Sequence, residues 1–207
     1  MTTAAALTPK ARPRINPRWR VVDIIVAAVL GVAIGVVFRG WDLVYAPVTK
    51  PLELALPGSQ SALYGIWLVA GVLGGLVIRK PGAALFTEIV AAAVEALLGA
   101  SWGGWMTILS GVIQGAGAEL VFLIFLYSSW RVWVAILAGS VSGIGMAAND
   151  ILNYYAKSGA AFQVVYVIGS VVSGAVIAGL GSWYLVRALA RTGALSRFAS
   201  GRAAAKA

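Results

Sequence analysis

Apolar residues in this chain come in long runs rather than in a helical stripe or a strand-like alternation. Six runs stand out: Val21 to Phe38, Ser61 to Ile78, Ala83 to Ala100, Met106 to Tyr127, Val132 to Ala148 and Ala161 to Leu189. Each approaches or exceeds the roughly 18 residues that carry a helix across a bilayer core about 30 Å thick. None shows the ten-residue alternation of a membrane barrel, and helices pair every backbone amide internally, as lipid requires. The pattern therefore predicts an all-α integral membrane bundle of six transmembrane helices. Residues 1–20 and 191–207 read as basic tails flanking a membrane domain over 21–190.

Composition agrees with that solvent. Of the 207 residues 60% are hydrophobic and 11% charged, against about 25% charged in soluble domains, and the mean hydropathy is +0.89. The net charge of +9 could suggest nucleic acid, but its placement excludes that reading. Lys10, Arg12, Arg14, Arg18, Arg20, Arg79, Lys80, Arg131, Arg187, Arg191, Arg197, Arg202 and Lys206 fall on one predicted side; only Arg39, Lys50 and Lys157 fall on the other. Positive charge marks the cytoplasmic side, so both termini are expected there, in an inner (plasma) membrane, with the charges facing anionic lipid heads.

Absences narrow the chemistry. With no Cys and no His, thiolate nucleophiles, imidazole bases and the commonest metal ligands are missing. No Gly-Lys dipeptide occurs, hence no phosphate-cradling nucleotide loop. No cofactor is expected, and uphill transport would need a partner or an ion gradient.

Lys and Arg keep to the span ends, whereas Glu88 and Glu95 lie in the third span and Glu119 in the fourth, near Gln114. An acid at mid-membrane costs roughly 2.5–3.5 kcal/mol. Seven residues put Glu88 and Glu95 on one face, about 10 Å apart along the axis. Acids without bases either stay protonated between helices or await a cation. Aromatics gather toward the outer ends: Trp41, Tyr45, Tyr64, Trp67, Trp102 and Trp105, then Tyr154 and Tyr155 after Asn149, Asp150 and Asn153 in the fifth–sixth turn. An interfacial belt explains any one of them; the string NDILNYY also suits a flat heterocycle. The outer segment from Arg39 to Gln60 carries Pro47, Pro51 and Pro57 and reads as a non-helical loop, a connector or a lid. Small residues at four-residue spacing, Ala27, Gly31 and Gly35 foremost, allow close helix approach or a smooth face for a partner.

The strings WRVVDIIVAAVLGVAIGVVF, YGIWLVAGVLGGLVIRKPGAALFTEIVAAAVEALLG and GVIQGAGAELVFLIF resemble the YkoE family of S components of energy-coupling-factor (ECF) transporters over roughly residues 19–190. The resemblance implies a non-catalytic subunit that binds thiamin or its hydroxymethylpyrimidine precursor from outside. It would deliver the ligand beside a membrane T component driven by two ATPases. S components usually dock through an Ala-xxx-Ala pattern on the first helix, where this chain offers Ala27, Gly31 and Gly35. Thiamin's fixed positive charge and flat pyrimidine suit the acids and aromatics. The expected ligand contacts are Glu95, Gln114 and Glu119, with Trp102, Asn149, Asn153 and Tyr154 at the mouth and Glu88 deeper. Two rivals stand beside this reading. One is a proton-coupled carrier of small organic cations; the other is a membrane enzyme acting on lipid, disfavoured because no carboxylate cluster lies in the cytoplasmic loops.

Overall fold

The computed structural model describes residues 17–100 and 103–204. Among the described residues there is no strand. The helices are α1 (Val21–Ala55), α2 (Ser59–Ile78), α3 (Ala83–Leu97), α4 (Trp105–Ile124), α5 (Val132–Asn153), α6 (Ala160–Arg191) and a short α7 (Ala199–Ala204). All but α3 and α7 are long and apolar enough to cross a membrane. α3, with 15 residues, spans only about 22 Å. It is a buried slat of the bundle, wedged between α1, α2 and α4.

The first correction concerns α1. Instead of ending at Phe38 before a loop, the helix continues to Ala55 through Pro47 and Pro51, leaving Leu56, Pro57 and Gly58 as the connector. A proline inside a helix costs about 3 kcal/mol, so something must offset two of them. Both prolines lie on the exposed face, while the opposite face carries an aromatic seam. Tyr45 packs on Tyr64 and Trp67 with ring centroids 5.4 and 5.0 Å away, and Trp41 meets Trp67 at 6.3 Å. Tyr45 also donates its hydroxyl to the Gln60 carbonyl at 3.2 Å, and the Thr49 hydroxyl to that of Tyr45 at 2.8 Å. The segment over 39–60, read from sequence as a non-helical connector or lid, is therefore for most of its length a helix arm clamped to the bundle.

Two helices depart from α geometry. Ser59–Leu68, the first half of α2, is a 3₁₀ helix, whose three-residue turn aligns Ser61, Tyr64 and Trp67 on one buried face. Gly174–Gly181 within α6 is π-helical. There Gly174 and Gly139 of α5 approach so closely that a Cβ on either would strike the other's carbonyl oxygen.

The small-residue stripe of α1 faces inward. Ala27, Gly31 and Gly35 are buried: a Cβ on Gly31 would lie 2.7 Å from Val90 Cβ, and one on Gly35 2.5 Å from the Ala91 carbonyl oxygen. Smallness serves the α1–α3 contact. Gly31→Leu is accordingly expected to lower the melting temperature of the purified protein and to reduce ligand binding with it, because no room exists for the side chain. The exposed face of α1 carries Ile25, Val29, Val32 and Val36 instead.

The basic end of the bundle is tied together. Asp23 meets Lys80 at 2.6 Å and Arg20 at 2.7 Å, and the Trp19 indole donates to the Pro81 carbonyl at 2.9 Å. Beyond α6 the chain does not leave as a free tail: Leu195 and Phe198 are buried, and the Ser200 hydroxyl donates to the Val77 carbonyl at 3.0 Å.

Candidate functional site

A cavity of about 560 Å³, its open mouth included, lies at the end of the bundle remote from Asp23. Helical spacing builds its walls. Thr107, Ser110 and Gln114 of α4 follow an i, i+3, i+7 pattern, and Met146, Asp150 and Tyr154 an i, i+4, i+8 pattern along α5 and just past it. Tyr64 and Trp67 come from the 3₁₀ half of α2, Ala92 and Glu95 from α3, Phe38 from α1 and Tyr166 from α6.

Two carboxylates enter this aromatic box from different helices. Glu95 Oε1 accepts the Trp67 indole N–H at 3.1 Å. The same N–H reaches Asp42 Oδ1 at 3.2 Å, and Asp42 in turn faces Arg39 at 3.7 Å. Asp150 is fixed from two sides: Tyr166 donates its hydroxyl at 2.8 Å, and Asn149 its amide at 3.2 Å. Tyr166 lies 5.4 Å from Tyr64 and 5.0 Å from Tyr155, centroid to centroid. The phenols of Tyr154 and Tyr155, in the turn after α5, have pKa values raised by burial, so they act as neutral hydrogen-bonding rings. The arrangement can sandwich a flat aromatic molecule, hydrogen-bond its edge and hold a positive charge beside carboxylate oxygens.

The residues expected from sequence divide clearly. Glu95, Gln114 and Tyr154 line the cavity. Asn149 and Asn153 sit in the last turn of α5, not in a loop. Asn149 stands behind the wall, donating to Ser110 Oγ at 3.2 Å, and Asn153 behind it, donating to the Asn149 carbonyl at 2.7 Å. Trp102 lies outside the described residues. Glu88 is sealed between α2 and α3, where it accepts the Gly71 backbone N–H.

Glu119 is placed elsewhere altogether. Gly82 precedes α3 and has no side chain to cap it, so Glu119 reaches across from α4. Its carboxylate accepts the N–H groups of Gly82, Ala84 and Leu85 at 2.6, 2.9 and 3.3 Å and the Tyr127 hydroxyl at 2.6 Å. These are the N–H groups a helix start leaves orphaned, and the helix dipole favours an acid there. Glu119→Ala is expected to cost about 1–3 kcal/mol of stability while leaving ligand affinity within about twofold. Thermal melts and calorimetry on one preparation would check both.

Asp150, Tyr166, Tyr64, Trp67, Tyr155, Thr107 and Ser110 were not among the expected contacts. For Thr107, Ser110 and Asp150 the signal was the spacing of polar residues along one face of α4 and at the end of α5, and for Tyr64, Trp67 and Tyr155 the gathering of aromatics toward the outer ends.

Comparison with known proteins agrees with this architecture. The family described as ABC-type cobalt transport system, permease component, matches residues 22–145. A Bacillus subtilis (strain 168) protein named HMP/thiamine permease protein YkoE is 34% identical over 188 residues, covering 89% of this chain and 91% of its own. A crystal structure of an S-component of an ECF transporter superposes with a TM-score of 0.82 at 34% identity, over 91% of this chain and 94% of the other. The fold and its membrane-spanning helices thus define a transport subunit of the plasma membrane, not an enzyme. The chain belongs to the YkoE family of ECF-transporter S components.

Proposed function

We propose that this subunit captures thiamin or its hydroxymethylpyrimidine precursor from outside the cell and passes it inward with a membrane T component and two ATPases. The observation that carries the proposal is the pairing of Glu95 and Asp150 with Trp67, Tyr64, Tyr155 and Tyr166 around one cavity. A flat pyrimidine bearing a cationic ring needs both aromatic faces and carboxylate oxygens. The name of the Bacillus relative, an HMP/thiamine permease, supports the same cargo. The matching family's description mentions cobalt, but that metal favours imidazole and other nitrogen or sulfur donors. The chain has neither His nor Cys, and the described residues contain no cluster of three or more acids.

In this reading the bundle crosses the membrane six times, α3 acting as a short crossing, with both termini cytoplasmic and the cavity outward. The thirteen basic residues that the sequence assigns to the cytoplasmic side support that orientation. Glu95 and Asp150 meet the charged ring, Gln114 and Ser110 the pyrimidine edge, and Tyr154 closes the mouth; Asn149 and Asn153 hold Asp150 in place. Reporters fused at either terminus are expected to be active in the cytoplasm and one inserted at Ser59 outside.

The decisive experiment uses the purified chain in liposomes. It is expected to bind thiamin without nucleotide, yet to accumulate it only after a T component and ATPases are added with ATP. Proton-driven accumulation by the chain alone would establish the secondary carrier instead.

A further inference from the structure

A second, larger cavity of about 1,020 Å³, mouth included, lies at the opposite end of the bundle. α5 separates the two: Arg131 and Val132 border this one at its start, Asp150 the other near its end. Roughly 19 residues between them amount to about 28 Å of helix. The chemistry is inverted. Where the first cavity offers carboxylates, this one offers Arg79, Arg131 and Arg187 around Trp130, Trp133 and Trp183.

None of these arginines has a carboxylate partner among the described residues. Arg187 lies over the Trp183 ring at 4.6 Å and Arg79 over Trp130 at 5.4 Å. Arg79 is half-buried and bonds only the Leu76 carbonyl through Nε at 3.2 Å, which leaves its terminal nitrogens without a hydrogen-bond partner there. Burial pulls its pKa down to about 10. Its backbone is also held in the left-handed region, with φ 57° and ψ 42° at the end of α2. Glycine or asparagine normally takes that place, and a long side chain there is uncommon. A half-buried cation in this conformation persists because the surrounding structure fixes it, here with its guanidinium over the Trp130 ring.

We infer that this cavity is a binding site for the phosphate head group of an anionic phospholipid. Guanidinium groups match phosphate oxygens in paired hydrogen bonds. Arg131 and Arg187 stand exposed at the rim while Arg79 stands deeper, so a phosphate is met from several directions. Leu76, Val132 and Val186 line the same space, which suits an acyl chain and not a free inorganic ion. Tryptophans mark the level where head groups meet hydrocarbon, and basic pockets between membrane helices are the recognised form of head-group site.

The test is native mass spectrometry of the full chain released from nanodiscs of phosphatidylglycerol and phosphatidylcholine in equal amounts. Phosphatidylglycerol is expected to be retained over phosphatidylcholine, with retention falling roughly fivefold for each arginine removed. Arg187→Gln is a rim change that leaves the fold alone. Arg79→Asn relaxes the left-handed backbone, so it is expected to lose lipid with no fall in melting temperature, the opposite of a merely structural role. Thiamin affinity is expected to stay unchanged in both. Equal retention of the two lipids, or unchanged retention in both variants, overturns the inference. So does inorganic phosphate that displaces the lipid completely at millimolar concentration, which would mark a free-anion site. So would variants that lose assembly with a T component while keeping the lipid, since the cavity would then receive a protein acid.

Discussion

The double variant Glu95→Gln, Asp150→Asn is expected to lose about a hundredfold or more in thiamin affinity while affinity for neutral hydroxymethylpyrimidine falls less than tenfold. Amides preserve the volume and the acceptor oxygens that meet the Trp67 indole and the Tyr166 hydroxyl, so the cavity keeps its shape. What disappears is the ability to carry negative charge beside the thiazolium. A desolvated charge pair is worth about 2–5 kcal/mol when one member is truncated, and a hundredfold change is about 2.7 kcal/mol. Glu95→Gln and Asp150→Asn taken singly should each account for part of the loss. Their sum need not equal the double change, because the two groups face one cavity. Calorimetric titration of both ligands into the four proteins separates the possibilities. Equal losses for the charged and the neutral ligand would mean that the acids only position the pocket. Unchanged thiamin binding would remove both from the site and end the assignment of this cavity. The Glu119→Ala protein is the matched control, an acid of the same bundle that caps α3 and whose hydrogen-bond partners Gly82, Ala84, Leu85 and Tyr127 do not line the cavity.

Carboxylates look alike in a sequence, and this contrast shows what decides between them. Glu95 and Glu119 both interrupt apolar runs and both implied an expense that needed a use. The use differs because of what tertiary structure brings near: an indole and a cavity in one case, three orphaned amides in the other. The apolar runs themselves were legible, since bilayer thickness sets their length and lipid forbids unpaired backbone. Helix ends were less so. Pro47 and Pro51 read as breakers because proline removes one backbone bond locally; the ring packing of Tyr45 on Tyr64 and Trp67, which carries α1 through them, joins residues about twenty apart. Asn149 and Asp150 read as a turn because they are polar, yet Tyr166 and Ser110 supply partners that let them finish a helix. Small residues at four-residue spacing were correctly a sign of close approach, but spacing does not say what approaches. On α1 the answer is α3.

Close approach also sets the largest stability effect to be expected. Gly139→Leu should prevent recovery of folded protein, and even Gly139→Ala should cost roughly 3 kcal/mol or more. The reason is geometric. Gly139 of α5 faces Gly174, where α6 turns from α to π geometry, and a Cβ on either would strike the other's carbonyl oxygen. Carbonyl oxygens of a helix backbone cannot swing aside as a side-chain tip can, so relief requires moving α5 and α6 apart. That separation would strip packing along the whole α5–α6 seam, where Gly143 lies against Ser170 and Gly179 against Ala135. It would also shift Tyr166, which holds Asp150 from α6, so any folded fraction of Gly139→Ala should bind ligand weakly. Gly40 of α1 supplies the comparison, with nothing within 4 Å of where its Cβ would lie. Gly40→Ala is expected to be neutral or to stabilise by up to about 1 kcal/mol through helix propensity alone. Fluorescence-detected size-exclusion chromatography with a temperature ramp reads both. If Gly139→Ala melted within a degree or two of the parent, α6 would not pack against α5 through Gly174, and the π-helical stretch would have lost its reason.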